Sequence, residues 1–343
     1  MKMDTTSVER MRLLLLIPFL LISASPLFGQ EKLAQTGMKF LEVSTDPRAE
    51  GMGEAFTSVE GGAESMFFNP AGMARQNVLT SISVGQVDWI ADIKHVYAGV
   101  SFSPFDGDYG VFGLSFRSIN YGDLQETIIA NNEQGFLDVG TFSPTAYSAG
   151  LGYATALNDK FSIGGNINFV HQNLGQSPVL IDSAGHLTNK SEAQSVYSFD
   201  FGMIYKTGFK SLAFGMDVRN FSKELKYEQE SFQLPLMFRL GISMNVLDMW
   251  DVNATDQSLL VSVDATHPRD YREQLNAGVE YTFMQVFSLR GGYMFDNDES
   301  GLTGGLGIRE RFAGIELSIA YSYTPYGVFT NVQRFSFGAS LLN

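Results

Sequence analysis

Beyond about residue 80 the chain alternates between large apolar and small or polar residues, with a period of two. In 161–169, Phe161, Ile163, Ile167 and Phe169 alternate with Ser162, Gly164, Asn166 and Asn168. In 275–283, Leu275, Ala277, Val279, Tyr281 and Phe283 alternate with Asn276, Gly278, Glu280 and Thr282, and 145–153 and 315–323 read the same way. This is the period of a strand with two unlike faces. Followed through the chain, it predicts fourteen strands near 79–86, 94–103, 110–119, 143–155, 161–171, 194–206, 211–220, 235–246, 257–266, 273–283, 286–295, 301–309, 313–323 and 330–341. Most have the length that a tilted strand needs to cross a bilayer, and an even number is what a bacterial outer-membrane barrel requires. The apolar face recurs on nearly every strand, too much for one soluble core. The expected fold is therefore all-β, a 14-stranded antiparallel transmembrane β-barrel over residues 79–343.

Charged residues sharpen the facing. Arg117, Asp200, Asp217, Arg219, Arg239, Asp264, Glu280, Arg290, Arg309, Glu316 and Arg334 all fall on the small or polar face of their strands. A charge facing lipid near the midplane costs about 2–4 kcal/mol. These eleven are expected to line a wet lumen as paired ladders, either bracing the wall or marking a solute path.

The links between strands alternate in length. Those at 104–109, 156–160, 207–210, 284–285 and 310–311 are short, and the long ones, about 120–142, 172–193 and 221–234, are all odd-numbered. Short periplasmic turns and long external loops give this pattern, which places both termini in the periplasm. One even link, Leu247–Gln257, is longer than the pattern asks. The external links carry acids, among them Asp123, Glu126, Glu133 and Asp138, and Tyr121, Ile128, Ile129 and Phe136 add apolar anchors. These four form the candidate external docking loop.

The N-terminus adds a secretory signal over residues 1–29. Arg10 and Arg12 form a positive start, Leu13 to Ile22 an apolar run too short to span a bilayer, and Ser23 to Gly29 a small-residue exit. No later apolar run approaches the length of a membrane-spanning helix. The net charge of −14 excludes the basic footprint that nucleic acid needs, and the absence of cysteine excludes thiol catalysis and cysteine metal sites.

Between signal and wall lies a segment, 30–78, with small residues and scattered apolar anchors. It contains GMGEAFTSVEGGAESMFFNPAGMA, residues 51 to 74. Gly51-Met52-Gly53 resembles the opening of a phosphate loop, but Phe56 stands where the third glycine belongs and no Walker motif follows. Met52, Ala55 and Phe56 have helical spacing. A short helix should stop near Phe68, because the residue before Pro70 avoids the helical region. Gly72 would then let the chain turn into the wall. A barrel of about fourteen strands is wide enough to hold such a segment as a hatch or plug. The four histidines, His95, His171, His186 and His267, form no H-E-x-x-H pair, and no G-x-S-x-G elbow occurs. His171 and His186 near Asp182 leave a surface metal site as an alternative, and a Ser-His hydrolase assembled in space stays open. The reading taken is a protein that is not an enzyme and needs no cofactor or metal.

The pattern A-x-x-M-G-x-A-F, at Ala49, Met52, Gly53, Ala55 and Phe56, and N-P-A-G, at Asn69, Pro70, Ala71 and Gly72, resemble the N-terminal signature of the PorV/PorQ family of outer-membrane proteins. INYGDLQET, residues 119–127, is similar to that family's third-strand exit. FadL-like barrels share the N-P-A element. The resemblance implies a 14-stranded barrel with an N-terminal hatch and a role in type IX secretion. PorV carries secreted cargo there, and PorQ serves the attachment complex. The expected partners are outer-membrane lipid and secreted cargo proteins or secretion-system subunits. A FadL-like channel for a hydrophobic solute is the alternative.

Overall fold

The computed structural model describes residues 36–180, 187–227, 230–250, 256–297, 300–329 and 331–342. The signal segment 1–29, Asp182, His186 and Glu228 lie outside them. The strands are β1 (Val78–Asp88), β2 (Lys94–Phe102), β3 (Val111–Asn120), β4 (Leu124–Ile129), β5 (Phe136–Phe142), β6 (Thr145–Ala156), β7 (Phe161–Leu180), β8 (Leu187–Lys206) and β9 (Ala213–Ser222). They continue as β10 (Leu225–Lys226), β11 (Ser231–Phe232), β12 (Met237–Asn245), β13 (Gln257–Pro268), β14 (Gln274–Phe283), β15 (Phe287–Phe295), β16 (Leu302–Phe312), β17 (Ile315–Pro325) and β18 (Asn331–Leu342). Fourteen of these close into one barrel, while β4–β5 and β10–β11 are separate two-stranded hairpins in the long connections. Every wall pair is antiparallel, and β1 meets β18 at the seam with Val84 opposite Phe337.

The alternation does what the sequence implies. Leu114, Phe116, Leu151, Ile167, Phe201, Leu240, Leu306 and Ile319 are all exposed on the outer face. Such a continuous apolar surface is stable only against lipid. Two connections differ from expectation. β7 and β8 run on as a paired ribbon to Leu180↔Leu187, well past the expected ends at 171 and 194. Backbone pairing persists there without the two-faced pattern, because no bilayer sorts the side chains. Among its described residues the long even link holds a 3-10 turn, Val246–Trp250.

The chain from Thr36 to Asn77 runs inside the wall. Thr36 bridges Gln233 in the long β9–β12 connection. At the other end, Arg75 donates to the Asn158 carbonyl in the short β6–β7 turn, and Gln76 accepts from Ser101 at 2.6 Å. The segment thus crosses from the long-connection end to the short-turn end before entering β1. Its apolar residues supply most of the core: Met52, Phe56, Met66, Phe67, Phe68 and Met73 pack with Tyr97, Val111 and Ala154 of the wall. Met38, Phe40 and Leu41 pack with Ile119, Val170, Val196 and Leu234 nearer the long connections.

Candidate functional site

The segment is folded by short local devices and held by long-range ones. Pro47–Gly51 is one helical turn, with Asp46 as its cap, accepting from the backbone of Arg48 at 2.8 Å and Ala49 at 3.1 Å. Proline at the first position fits because its missing N–H needs no partner there. A 3-10 turn over Ala63–Phe67 ends at Phe68, and a second, Pro70–Arg75, is capped by Asn69. Gly53, at φ +62°, takes the left-handed conformation that glycine tolerates. Gly72 plays a part different from the expected turn. It is required by space, since a Cβ there would stand 2.7 Å from Ser65 Oγ.

Asn69 is the tie toward the short-turn end. Its Oδ1 accepts from Ala71 N at 3.0 Å, and its Nδ2 donates to the carbonyls of Thr57, Met203 and Met216 at 2.7, 3.1 and 3.3 Å. The side chain therefore caps one turn and stitches it to β8 and β9. Asn69→Ala is expected to cost about 1–3 kcal/mol, the cost of stranding buried carbonyls. It should appear as a lower urea midpoint in detergent, and Asn69→Asp, which keeps the cap but sets a carboxylate oxygen against the same carbonyls, should lower the midpoint at least as far. A midpoint unchanged in both variants would sink this role.

Nine of the eleven wall charges are buried beneath the segment; Arg309 and Glu316 line the short-turn opening, where Glu316 pairs with Arg309 and Arg311. The expected wet lumen is thus filled at its middle. Arg48 grips Glu280 through Nε and NH2, at 2.8 to 3.2 Å, and Arg290 donates to the same carboxylate at 2.6 Å. Arg334 meets Glu50 at 3.1 Å and donates to Ser44 O at 2.9 Å, while Thr324 donates to Glu50 at 2.7 Å. Arg239 pairs with Glu54 at 2.6 Å. Asp264 accepts from Phe56 N and Thr57 N, at 2.9 and 2.8 Å, and Arg117 donates to the carbonyls of Phe40 and Leu41. Asp200 accepts from Asn166, Asn168 and Asn220. Asp217 and Arg219 are buried beside them; both Asp217 oxygens and Arg219 Nε lack a hydrogen-bond partner. Five of the eleven wall charges, Arg117, Arg239, Asp264, Glu280 and Arg334, therefore find partners in the segment. Sequence reading missed Asp46, Arg48, Glu50 and Glu54. Their charges among otherwise small residues were the available signal.

Two cavities flank the segment among the described residues. One, about 680 Å³, opens between Arg75, Arg309, Glu316 and a wall of serines; the other, about 900 Å³, lies toward the long connections between Trp89, Tyr326, Asp270 and Arg239. Pro47–Gly51 stands between them, with Arg48 lining the first and Glu50 the second. In the second, Lys39 lies 2.7 Å from both Glu42 and Asp270. Burial pushes the Asp270 carboxyl up, but hydrogen bonds from Lys39 and Thr36 outweigh it and hold the group below the ordinary carboxylate value.

The expected docking residues divide. Tyr121 is not a free anchor: it packs against the Phe40 cluster, and its hydroxyl accepts from Gln172 at 3.2 Å. Ile129 and Phe136 face each other near the tip of the β4–β5 hairpin, Ile129 97% exposed, with Ile128 half-buried beside them. Among the histidines, His95 is buried, His171 bonds Ser195 and His267 contacts Glu273. Among the described residues no group of His, Cys, Asp and Glu could hold a metal.

A closed fourteen-stranded wall with an apolar outer belt defines a bacterial outer-membrane β-barrel. The chain belongs to the family of type IX secretion system membrane proteins PorP/SprF, whose model matches residues 126–340. That match names PorP/SprF where the sequence motifs resemble PorV/PorQ, and it begins beyond the Ala49–Gly72 signature. Among solved structures, the Ralstonia pickettii toluene transporter TbuX is similar, with a TM-score of 0.58 at 12% identity over 88% of this chain and 99% of its own. The Pseudomonas putida toluene transporter TodX gives 0.55 at 11% identity over 91% and 98%. A Pseudomonas aeruginosa FadL homologue gives 0.53 at 12% over 87% and 98%. At these identities the likeness is one of fold. No curated protein sequence matches the chain.

Proposed function

We propose that this barrel is a non-enzymatic component of type IX secretion that docks secreted cargo or a secretion-system subunit at its long-connection end, in the manner of the PorV/PorQ branch. Both termini would face the periplasm and the long connections the exterior. The observation that carries the reading is the filled middle: the segment's helix is tied to the wall by Arg48–Glu280–Arg290 and Glu50–Arg334, between the two cavities. A wall so occupied serves better as a platform than as a conduit. The β4–β5 hairpin, with exposed Ile129 and Phe136, offers the platform an apolar contact. With the barrel as bait, secreted proteins sharing one C-terminal domain are expected in the pull-down, and Ile129→Asp with Phe136→Asp should lower their recovery. Recovery of none, together with an apolar compound in the purified barrel, would overturn the reading in favour of a hydrophobic-solute channel. What favours that second reading is the apolar side of the 900 Å³ cavity, at Trp89, Ile90, Ile93 and Tyr326.

A further inference from the structure

We propose that the 900 Å³ cavity at the long-connection end is a binding site for an organic cation, an ammonium or guanidinium group carried on an apolar body. Its size suits a small organic ligand. Its ionic balance leaves a place for one positive charge. Arg334 is matched by Glu50 and Arg239 by Glu54, but Glu42 and Asp270 share the single Lys39. Four carboxylates thus face three cations.

Hydrogen bonding points the same way independently of charge. Asp270 and Asn276 line this cavity, 4% and 3% exposed, and the Oδ1 of each lacks a donor; Glu42 Oε1, on a less buried side chain, lacks one too. A buried acceptor without a donor is costly, so a ligand that brings N–H groups relieves it. Ser44 Oγ, Thr266 Oγ1 and His95 Nδ1 also line the cavity without a partner, and each of these can accept as well as donate. Each of these unpartnered atoms can therefore take an N–H donor, and the three amide and carboxylate oxygens can take nothing else. Trp89 and Tyr326, in edge contact at 4.9 Å, supply an apolar flank for the ligand's body. A hydrocarbon alone would leave the acceptors as they are.

The chain provides its own reporter. It has two tryptophans, Trp89 in the cavity and the exposed Trp250, so Trp250→Phe leaves Trp89 as the only one. Titration of that full-length barrel in detergent with phenethylammonium should give a saturable change in Trp89 fluorescence, with toluene and phenylacetate as neutral and anionic controls. Asp270→Asn is expected to weaken the ammonium about tenfold or more, the effect of losing one charged hydrogen-bond acceptor. Glu42→Gln gives a second reading should Asp270→Asn disturb the fit of Thr36 and Lys39. Toluene binding as tightly as the ammonium, affinity unchanged in both variants, or no saturable signal would overturn the site. Excess phenethylammonium added to the pull-down assigns the source of the cation: loss of partner points to a Lys or Arg side chain of the docked protein, retention to a free solute. Capture without the amine tests the docking role alone, so the two proposals can fail separately.

Discussion

Glu280→Ala is expected to release the middle of the inner segment and to be among the most damaging single changes in the protein. Glu280 accepts from Arg48 of the segment and Arg290 of the wall, and its removal leaves the buried Arg290 and the half-buried Arg48 without their counter-charge. Breaking a buried pair by deleting one partner costs about 3–5 kcal/mol. The loss should fall on the seating of Pro47–Gly51 before it falls on the wall, whose ladder does not depend on the side chain. In limited trypsin digestion of the detergent-solubilised barrel, cleavage after Arg48 should therefore accelerate sharply while the wall stays intact. Arg48→Met with Glu280→Leu strands Arg290 alone instead of both guanidiniums, so its urea midpoint in detergent, the readout left once the trypsin site is gone, should lie above that of Glu280→Ala. If the single and double variants unfold alike, the lost counter-charge on Arg48 is not what loosens the helix.

Gly292→Val is expected to act as strongly through shape alone. Gly278 and Gly292 are opposite each other on β14 and β15, and together they give the backbone of Met52 and Gly53 a flat seat. A Cβ on Gly292 would lie 2.7 Å from Gly53 Cα, and one on Gly278 the same distance from Met52 Cβ. Overpacking of a filled interior costs about 1–3 kcal/mol even when the intruder meets flexible side chains; here it meets backbone on both sides. Gly291 is the internal control, because a Cβ there meets nothing within 4 Å. Gly291→Ala should leave the unfolding midpoint and protease pattern unchanged, whereas Gly292→Val should expose the segment. Equal behaviour of the two variants would show that the segment does not rest on this seat.

The wall was legible because lipid enforces a simple rule. Each residue facing the bilayer must be apolar, so period two persists strand after strand, and charges such as Asp264 and Arg334 are driven to the inner face. What those charges meet was not legible. The expectation of ladders within the wall describes Glu280 with Arg290, which are opposite one another in register. It does not describe Arg239 with Glu54 or Arg334 with Glu50, whose partners lie 185 and 284 residues away in the chain. No local pattern encodes such meetings. The segment's own folds were half visible: Pro70 and Asn69 marked a turn, but the glycines of Gly51–Gly53 had several readings until β14 and β15 gave them a surface to lie on. The extension of β7 and β8 was invisible for the opposite reason, since outside the bilayer the sorting of side chains lapses while pairing continues.

The tie between Arg334 and Ser44, Glu50 and Thr324 has a consequence for assembly. The segment precedes β1 in the chain, and β18, the last strand of the wall, closes it on β1. Arg334 is 2% exposed and draws its partners from both the segment and β17. A wall that zipped shut while empty would carry that guanidinium without its carboxylate beside the closing seam, at the several-kcal/mol cost of a broken buried pair. The last strand gains its full stability only around an interior already in place. Closure is in this sense proofread: the final step of building the cylinder tests whether the first part of the chain has arrived.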